Sequence, residues 1–125
     1  MSHITRVKTQ LVEAEYITMA LTDLGYEYAT GKQAIGGFGA QRAEVDIKVK
    51  TKGYQVGFRQ TEECYELVGD WWGVKNIKRE AFLQQVTQRY AYHATCAQLA
   101  TQGFALAAET VDEKGSLHLT LRRMA

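Results

Sequence analysis

The sequence contains no proline, only two cysteines, and no apolar run approaching the roughly 18 residues of a transmembrane helix. It also lacks low-complexity tracts, so a long disordered region is not expected. Cys64 and Cys96 lack the spacing of metal ligands, which indicates small buried side chains in a reducing compartment. The opening segment 1–5 has no apolar core of a secretory signal. These absences predict a cytoplasmic protein without a membrane-spanning segment.

The chain also lacks an excess of either charge, since 15 basic side chains stand against 14 acidic ones. Binding to duplex nucleic acid depends on clustered Lys and Arg, because affinity comes largely from releasing counterions around phosphates. Only Arg122 and Arg123 form a local excess, and no RNA-recognition or helix-turn-helix signature is present. Nucleic acid is therefore not an expected partner. The length of 125 residues predicts one domain over residues 1–125.

Two helices are predicted from apolar residues that recur at spacings of three and four. The first covers residues 14–24, and Gly25 can take the left-handed conformation that ends a helix. The second runs from Ile77 to Gln102 and ends before Gly103. Its apolar stripe consists of Leu83, Val86, Tyr90, Ala94, Ala97 and Ala100.

Strands are predicted where apolar and polar residues alternate. The clearest is 44–50, in which Val45, Ile47 and Val49 face one side. A glycine-rich loop over residues 31–42, around Phe38, precedes it, and short turns after it indicate an antiparallel meander. The other predicted strands are 3–9, 26–30, 54–58, 65–69, 104–111 and 116–122. This order predicts an α+β domain, in which an antiparallel sheet of about six strands is covered on one face by two long helices.

Several runs of residues resemble one known family. They are Asp70-Trp71-Trp72-Gly73, the helical segment 82–93, the opening 1–3, the strand segment 65–68 and the ending 117–123. Together they resemble the family named for hypothetical chloroplast reading frame thirty-five, and the resemblance covers nearly the whole chain. The resemblance implies relatives in cyanobacteria, red-algal plastids, other bacteria and phages. It implies a domain of unknown function and supplies no catalytic or binding residues.

Catalytic chemistry is not indicated by any motif. Catalysis requires a nucleophile with its base, paired carboxylates in a cleft, or a metal cluster, and none occurs at motif spacing. His3, His93 and His118 lie on three different elements, so neither a metal site nor a cofactor is predicted. Enzyme activity is a third hypothesis, which would require His93 or His118 to lie beside a carboxylate in a cleft.

Aromatic residues provide the first candidate binding group. In an extended backbone the side chains of Trp71 and Trp72 point to opposite faces, so one ring packs in the core while the other is exposed. The exposed ring can stack on a planar ligand or anchor a protein contact. The alternative is that both rings fill the gap between strand and helix. Phe38 can fold over a bound ring, and the alternative for its loop is a mobile surface connection.

Cationic residues provide the second candidate group. Arg89 and His93 share one face of the second helix, with Tyr92 beside them, and an arginine can bind phosphate or carboxylate oxygens through two hydrogen bonds. The alternative is a solvated or inter-subunit helix face. Arg59 and Lys8 would add positive charge if their strands were neighbours.

We expect the exposed indole and the Arg89 guanidinium to lie close enough together to line one shared pocket. These residues lead to two main hypotheses. The first is a non-catalytic protein that binds or sequesters a small anionic ligand with a ring, such as a nucleotide, and that in phages acts as a sponge for a nucleotide signal. The second is a protein-interaction module of a larger complex in photosynthetic or other bacteria. A two-helix face and an edge strand also predict a homo-oligomer, most simply with two-fold symmetry.

Overall fold

The computed structural model describes residues 3–124. Met1 and Ser2, which belong to the opening segment of the resemblance, lie outside the described residues. In chain order the elements are β1 (Thr5–Lys8), α1 (Ala14–Asp23), β2 (Tyr28–Gly36), β3 (Arg42–Val49), β4 (Val56–Gln60), β5 (Tyr65–Gly69), a 3₁₀ turn (Trp71–Gly73), α2 (Arg79–Thr101), β6 (Phe104–Val111) and β7 (Leu117–Arg123).

The α+β class is confirmed, and the strands divide between two antiparallel sheets. The larger sheet has the order β1-β5-β4-β3-β2, and β6 pairs only with β7 in a separate hairpin. The prediction of one sheet of about six strands therefore differs from the observed division into five and two. The hairpin lies against α2, where Gln88 donates a hydrogen bond to the carbonyl oxygen of Gly115. Its contact with the domain is thus made through a helix and not through a sheet edge.

Both helices cover one face of the larger sheet. Ile17 and Leu21 of α1 lie in one buried cluster with Phe82 and Val86 of α2 and with Phe58 of β4. Of the predicted stripe of α2, Val86 is fully buried and Leu83 is only partly buried, and Phe82 is a further fully buried residue that the prediction did not name. Neither α1 nor α2 has the length and apolar composition needed to cross a membrane.

A second, smaller buried cluster lies apart from the one that the helices cover. Phe58 pairs with Leu67 and Gly57 pairs with Val68, so alternation puts Val68 on the face away from the helices. Val68 packs in this smaller cluster with Val45 of β3. A Cβ on Gly57 would approach the Val45 side chain to 2.7 Å, so glycine is required for these strands to pack.

The glycine-rich loop is shorter than predicted. The expected loop 31–42 is mostly a strand hairpin, because β2 continues to Gly36 and β3 begins at Arg42. A register shift between Thr30 and Gln33 accommodates Gly31, which has a φ of 94°. The isolated glycines therefore mark a β-bulge and a tight turn at 37–41, and not a long flexible connection.

Candidate functional site

The two tryptophans lie in the 3₁₀ turn that connects β5 to α2. The Trp71 ring packs against Phe82, with the ring centroids 5.8 Å apart. The Trp72 side chain is 75% exposed. Opposite exposure of the two rings was expected, but from an extended backbone, whereas here the helical turn directs one ring inward and the other into solvent. Trp72 is therefore the ring that a partner molecule can reach.

Phe38 lies beside this exposed indole. The Phe38 and Trp72 rings meet edge to face with centroids 6.4 Å apart, and Phe38 is 44% exposed. The Phe38 turn is held from below by Asp70, whose side chain is 1% exposed and accepts a hydrogen bond of 3.0 Å from the Phe38 N–H. Two of the predicted site residues thus form one exposed aromatic surface, which we call the Phe38–Trp72 pair.

Arg89, Tyr92 and His93 form a separate group. Arg89 donates hydrogen bonds to Asp23 at 3.0 Å and to Glu109 at 2.8 Å, and its guanidinium lies 4.2 Å from the centre of the Tyr92 ring. His93 Nε2 lies 2.5 Å from the same Asp23 oxygen. These contacts join the end of α1, the middle of α2 and strand β6. Two carboxylates already occupy the guanidinium, so the group favours interlocking of elements over anion binding.

Asp23 and Arg89 shift each other's pKa values toward their ionised forms. Burial acts to raise the pKa of the Asp23 carboxyl, but hydrogen bonds from His93 and Arg89 outweigh it and hold that pKa below its ordinary value. Burial acts to lower the pKa of Arg89, and the bonds to Glu109 and Asp23 outweigh it and raise that pKa. The ionised forms of Asp23 and Arg89 therefore stabilise each other.

The predicted shared pocket of tryptophan and arginine is not what these contacts describe. Phe82, which Trp71 touches, precedes Arg89 on α2, and the helical rise puts them about 10 Å apart along the axis. The Phe38–Trp72 pair and the Arg89 group have different neighbours. They therefore form two separate surfaces.

Arg59 is exposed on β4 and does not join either group. It lies opposite Glu66 of β5, and Lys8 of β1 lies on the other side of the same Glu66. The strands of Arg59 and Lys8 are therefore separated by β5, so they are not the neighbours that an added positive patch would need. Lys8 forms its own exposed ion pair with Glu63 at 2.8 Å.

A cavity that the sequence reasoning missed lies where β3 ends and α2 is about to begin. It has a volume of about 350 Å³, and we call it the lysine pocket. Its lining includes Tyr26, Lys50, Lys52, Lys75, Asn76 and Ile77. Of these lysines, Lys50 lies 3.4 Å from Glu27, and both side chains of that pair are largely exposed. Among residues 3–124, no carboxylate lies within ion-pair distance of Lys52 or Lys75.

The pocket also offers an uncharged aromatic wall. Tyr26 is half-buried and packs edge to face on Phe82 at 5.2 Å. Burial raises the pKa of its hydroxyl, so the phenol stays neutral and does not repel an anion. The signal for this pocket in the sequence is the repetition of lysine at positions 50 and 52. The contribution of Lys75 depends on a long-range contact that periodicity does not report.

The described part of the chain contains no preformed cluster of metal-ligating side chains. No group of three or more His, Cys, Asp or Glu side chains in residues 3–124 could hold an ion. His93 contacts Asp23, and His118 contacts Asp112 at 2.9 Å in the turn of the C-terminal hairpin. Each of these histidines thus has a single carboxylate neighbour.

The matches to known proteins all point to one family. A model of a protein of unknown function, DUF1257, matches residues 20–120. The uncharacterized protein ycf35 of Cyanophora paradoxa is 35% identical over 126 residues, covering 98% of each chain, and that of Guillardia theta is 32% identical at the same coverage. The corresponding protein of Pyropia yezoensis is 29% identical over 130 residues. No solved structure matches the chain. The chain therefore belongs to the Ycf35 family, whose domain DUF1257 is of unknown function.

Proposed function

We propose that this protein is a non-catalytic binding protein for a small anionic ligand that carries a planar ring, such as a nucleotide, and that the ligand occupies the lysine pocket. The observation that carries the proposal is the combination of Lys50, Lys52 and Lys75 with the neutral ring of Tyr26 around one cavity. Ammonium groups bind phosphate oxygens as point charges, and an aromatic side chain contacts a nucleobase through its face or edge.

The size and lining of the pocket support a small ligand. Its volume of about 350 Å³ falls in the range of roughly 300–1,000 Å³ that small-molecule sites occupy. The carbon stems of the lysines and Ile77 supply apolar surface, while the ammonium groups supply charge. A ligand with both a ring and a phosphate would use each part of this lining. Sequestration of a nucleotide signal, including by phage relatives, is one biological form that such binding can take.

Calorimetric titration with cyclic nucleotides, ADP-ribose and AMP tests the proposal. The matched control ligand is ribose 5-phosphate, which keeps the sugar and phosphate of AMP and lacks its planar base. We expect saturable heat with at least one ring-bearing ligand and weaker binding of ribose 5-phosphate. Absence of heat and of any thermal shift across the panel would contradict the proposal.

A second candidate function follows from the exposed indole of Trp72. Tryptophan is enriched among the residues that dominate the energy of protein–protein contacts, and here an indole that is 75% exposed lies beside a second exposed ring. The Phe38–Trp72 pair therefore supports an accessory role in a larger complex of a photosynthetic or other bacterium. Purification from a native host separates the candidates: a stoichiometric partner protein lost in Trp72→Ala supports this role, and a co-purifying small molecule supports the first.

We further propose that the protein works in the cytoplasm or an equivalent compartment and self-associates. The reduced, unpaired state of Cys64 and Cys96 supports the first point, and the open edges of β1 and β2 support the second. Sedimentation at two protein concentrations tests self-association. A single monomeric species at both concentrations would contradict it.

A further inference from the structure

We infer that Lys52 and Lys75 form a clamp for a ligand group with at least two negative charges, such as a diphosphate. The inference rests on the proposed function, because the clamp lies in the same lysine pocket. It adds a statement about ligand class: the number of charges on the ligand, and not only its ring, decides binding.

The backbone fixes the two lysines directly opposite each other. Gly53 and Val74 form an isolated antiparallel bridge, so their neighbours Lys52 and Lys75 also face each other. The Lys75 N–H donates a hydrogen bond of 3.0 Å to the carbonyl oxygen of Lys52. Side chains that are directly opposite on such a ladder have Cβ atoms about 5 Å apart and point to the same side. This placement agrees with the lining of one cavity by both residues.

Such a pairing is unfavourable without a ligand. Like charges directly opposite on neighbouring strands destabilise the pairing, and here no described carboxylate within ion-pair distance compensates either ammonium. Lys50 adds a third cation to the same cavity, and only that one has a nearby carboxylate, from Glu27. The pocket therefore holds a surplus of about two positive charges, which an anion with two charges would neutralise.

The two segments approach this closely only because of glycine. Gly53 has a φ of 82°, and a Cβ at this position would lie 2.0 Å from the carbonyl oxygen of Gly73. Directly after Lys75 the chain turns at Asn76, a residue other than glycine with a positive φ of 67°. Residues in sparsely populated backbone conformations persist where the surrounding structure imposes them, often at ligand sites. The lysines are thus held by a constrained backbone before any ligand binds.

Charge matching gives an order of affinities. Inorganic pyrophosphate can contact both ammonium groups through separate phosphate groups, whereas a cyclic mononucleotide carries one negative charge and leaves one cation without a partner. We therefore expect pyrophosphate and nucleoside diphosphates to bind at least tenfold more tightly than cyclic mononucleotides at low salt. The difference should shrink as ionic strength rises, because the cations are exposed to solvent screening.

Titration with inorganic pyrophosphate tests the clamp in the full chain. Its variants are Lys52→Gln, Lys75→Gln and their double, and Lys114→Gln in the distant hairpin turn is the matched charge control. We expect each single clamp variant to lose at least tenfold in pyrophosphate affinity, with Lys114→Gln equal to the wild type. Undiminished pyrophosphate binding by the double variant, or no pyrophosphate binding by the wild type, would overturn the inference.

Stability without ligand is a second readout. Relief of repulsion predicts that either single substitution leaves the unfolding midpoint equal to or above that of the wild type. A lowered midpoint in both singles would contradict repulsion and overturn the inference. Failure of the clamp can be distinguished from failure of the proposed function. Tight nucleotide binding that neither substitution weakens would refute the clamp alone. Pyrophosphate binding that depends on both lysines, without any preference for ring-bearing ligands, would support the clamp and refute the proposed recognition of a planar ring.

Discussion

The buried carboxylate of Asp70 accepts a hydrogen bond of 3.0 Å from the backbone N–H of Phe38, 32 residues away in the chain. Asp70 directly precedes the 3₁₀ turn that carries Trp72, and Phe38 lies at the tip of the β2–β3 turn. One side chain thereby fixes the distance between two loops. The exposed Phe38–Trp72 pair is consequently a preformed surface and not two independent rings.

Replacement of Asp70 with alanine should destabilise the protein and release the Phe38 turn. The substitution leaves a partly buried N–H without its acceptor, which costs about 1–3 kcal/mol of unfolding free energy. Urea denaturation measures this loss. Asp70→Asn keeps an acceptor oxygen and should lie between the wild type and alanine.

Asp46 offers a matched control for this substitution. Its carboxylate also accepts a backbone N–H bond, from Gln60 at 2.8 Å, but at an exposed position where water can replace it. We expect Asp46→Ala to cost less than Asp70→Ala. Equal losses for the two variants would show that burial of Asp70 is not what makes its hydrogen bond important.

Local pattern was sufficient for those parts of the fold that depend on neighbours in the chain. The alternation predicted at 44–50 is observed as alternating burial, and Gly25 has the predicted positive φ. Gly103, which was predicted to end the second helix, also follows it with a positive φ. The bulge near Gly31 was missed, because a glycine inside a strand and a glycine in a loop look alike in sequence.

The sites depend on contacts that sequence spacing does not contain. Arg89 was expected to be available to an anion, but its partner Asp23 lies 66 residues away, and Glu109 reaches it from a hairpin whose position periodicity does not define. The opposition of Lys52 and Lys75 arises from one isolated bridge. Such pairings become visible only once the order of the strands and the path of the loops are known.

The contacts of Asp23 with Arg89 and His93 should make the stability of the protein depend on pH in the acid range. Its folded pKa lies below the ordinary value, so its contribution is present above the unfolded pKa of about 3.8 and is lost as pH falls through the lower folded pKa. Asp23→Asn should therefore be less stable than the wild type at neutral pH, by about 1 kcal/mol because the pair is partly solvated. The difference should shrink below pH 4. Urea unfolding at a series of pH values measures it.

Glu63 is the control for this pH dependence. It pairs with Lys8 at 2.8 Å, yet both side chains are largely exposed, so Glu63→Gln should change the unfolding free energy little at any pH. A difference between wild type and Asp23→Asn that does not shrink in acid would indicate that the substitution acts by altered packing and not by loss of charge.

Gly53→Ala should be more damaging than the same change at an equally left-handed glycine in open space. Gly53 and Gly115 have φ values of 82° and 81°, but only at Gly53 would a Cβ meet another atom, 2.0 Å from a carbonyl oxygen. Gly115→Ala should cost the conformational penalty of about 1–2 kcal/mol. Gly53→Ala should exceed this, because the ladder that aligns Lys52 with Lys75 must open. Thermal unfolding compares the two variants, and equal losses would contradict a steric requirement at Gly53.

The two tryptophans should respond in opposite ways to truncation. Trp72→Ala removes a side chain that is 75% exposed and should change stability by less than about 0.5 kcal/mol. Trp71→Ala removes a ring that packs on buried Phe82 and should cost about 2–3 kcal/mol. Because the chain has only two tryptophans, each variant reports the fluorescence of the other ring. The Trp71 emission that remains in Trp72→Ala should be shifted to shorter wavelength and resist acrylamide quenching, whereas Trp72 emission in Trp71→Ala should be quenched readily.

Pyrophosphate binding should be unchanged in Trp72→Ala, since that ring is not part of the lysine pocket. A loss of pyrophosphate binding there would instead indicate that the ligand extends to the Phe38–Trp72 pair.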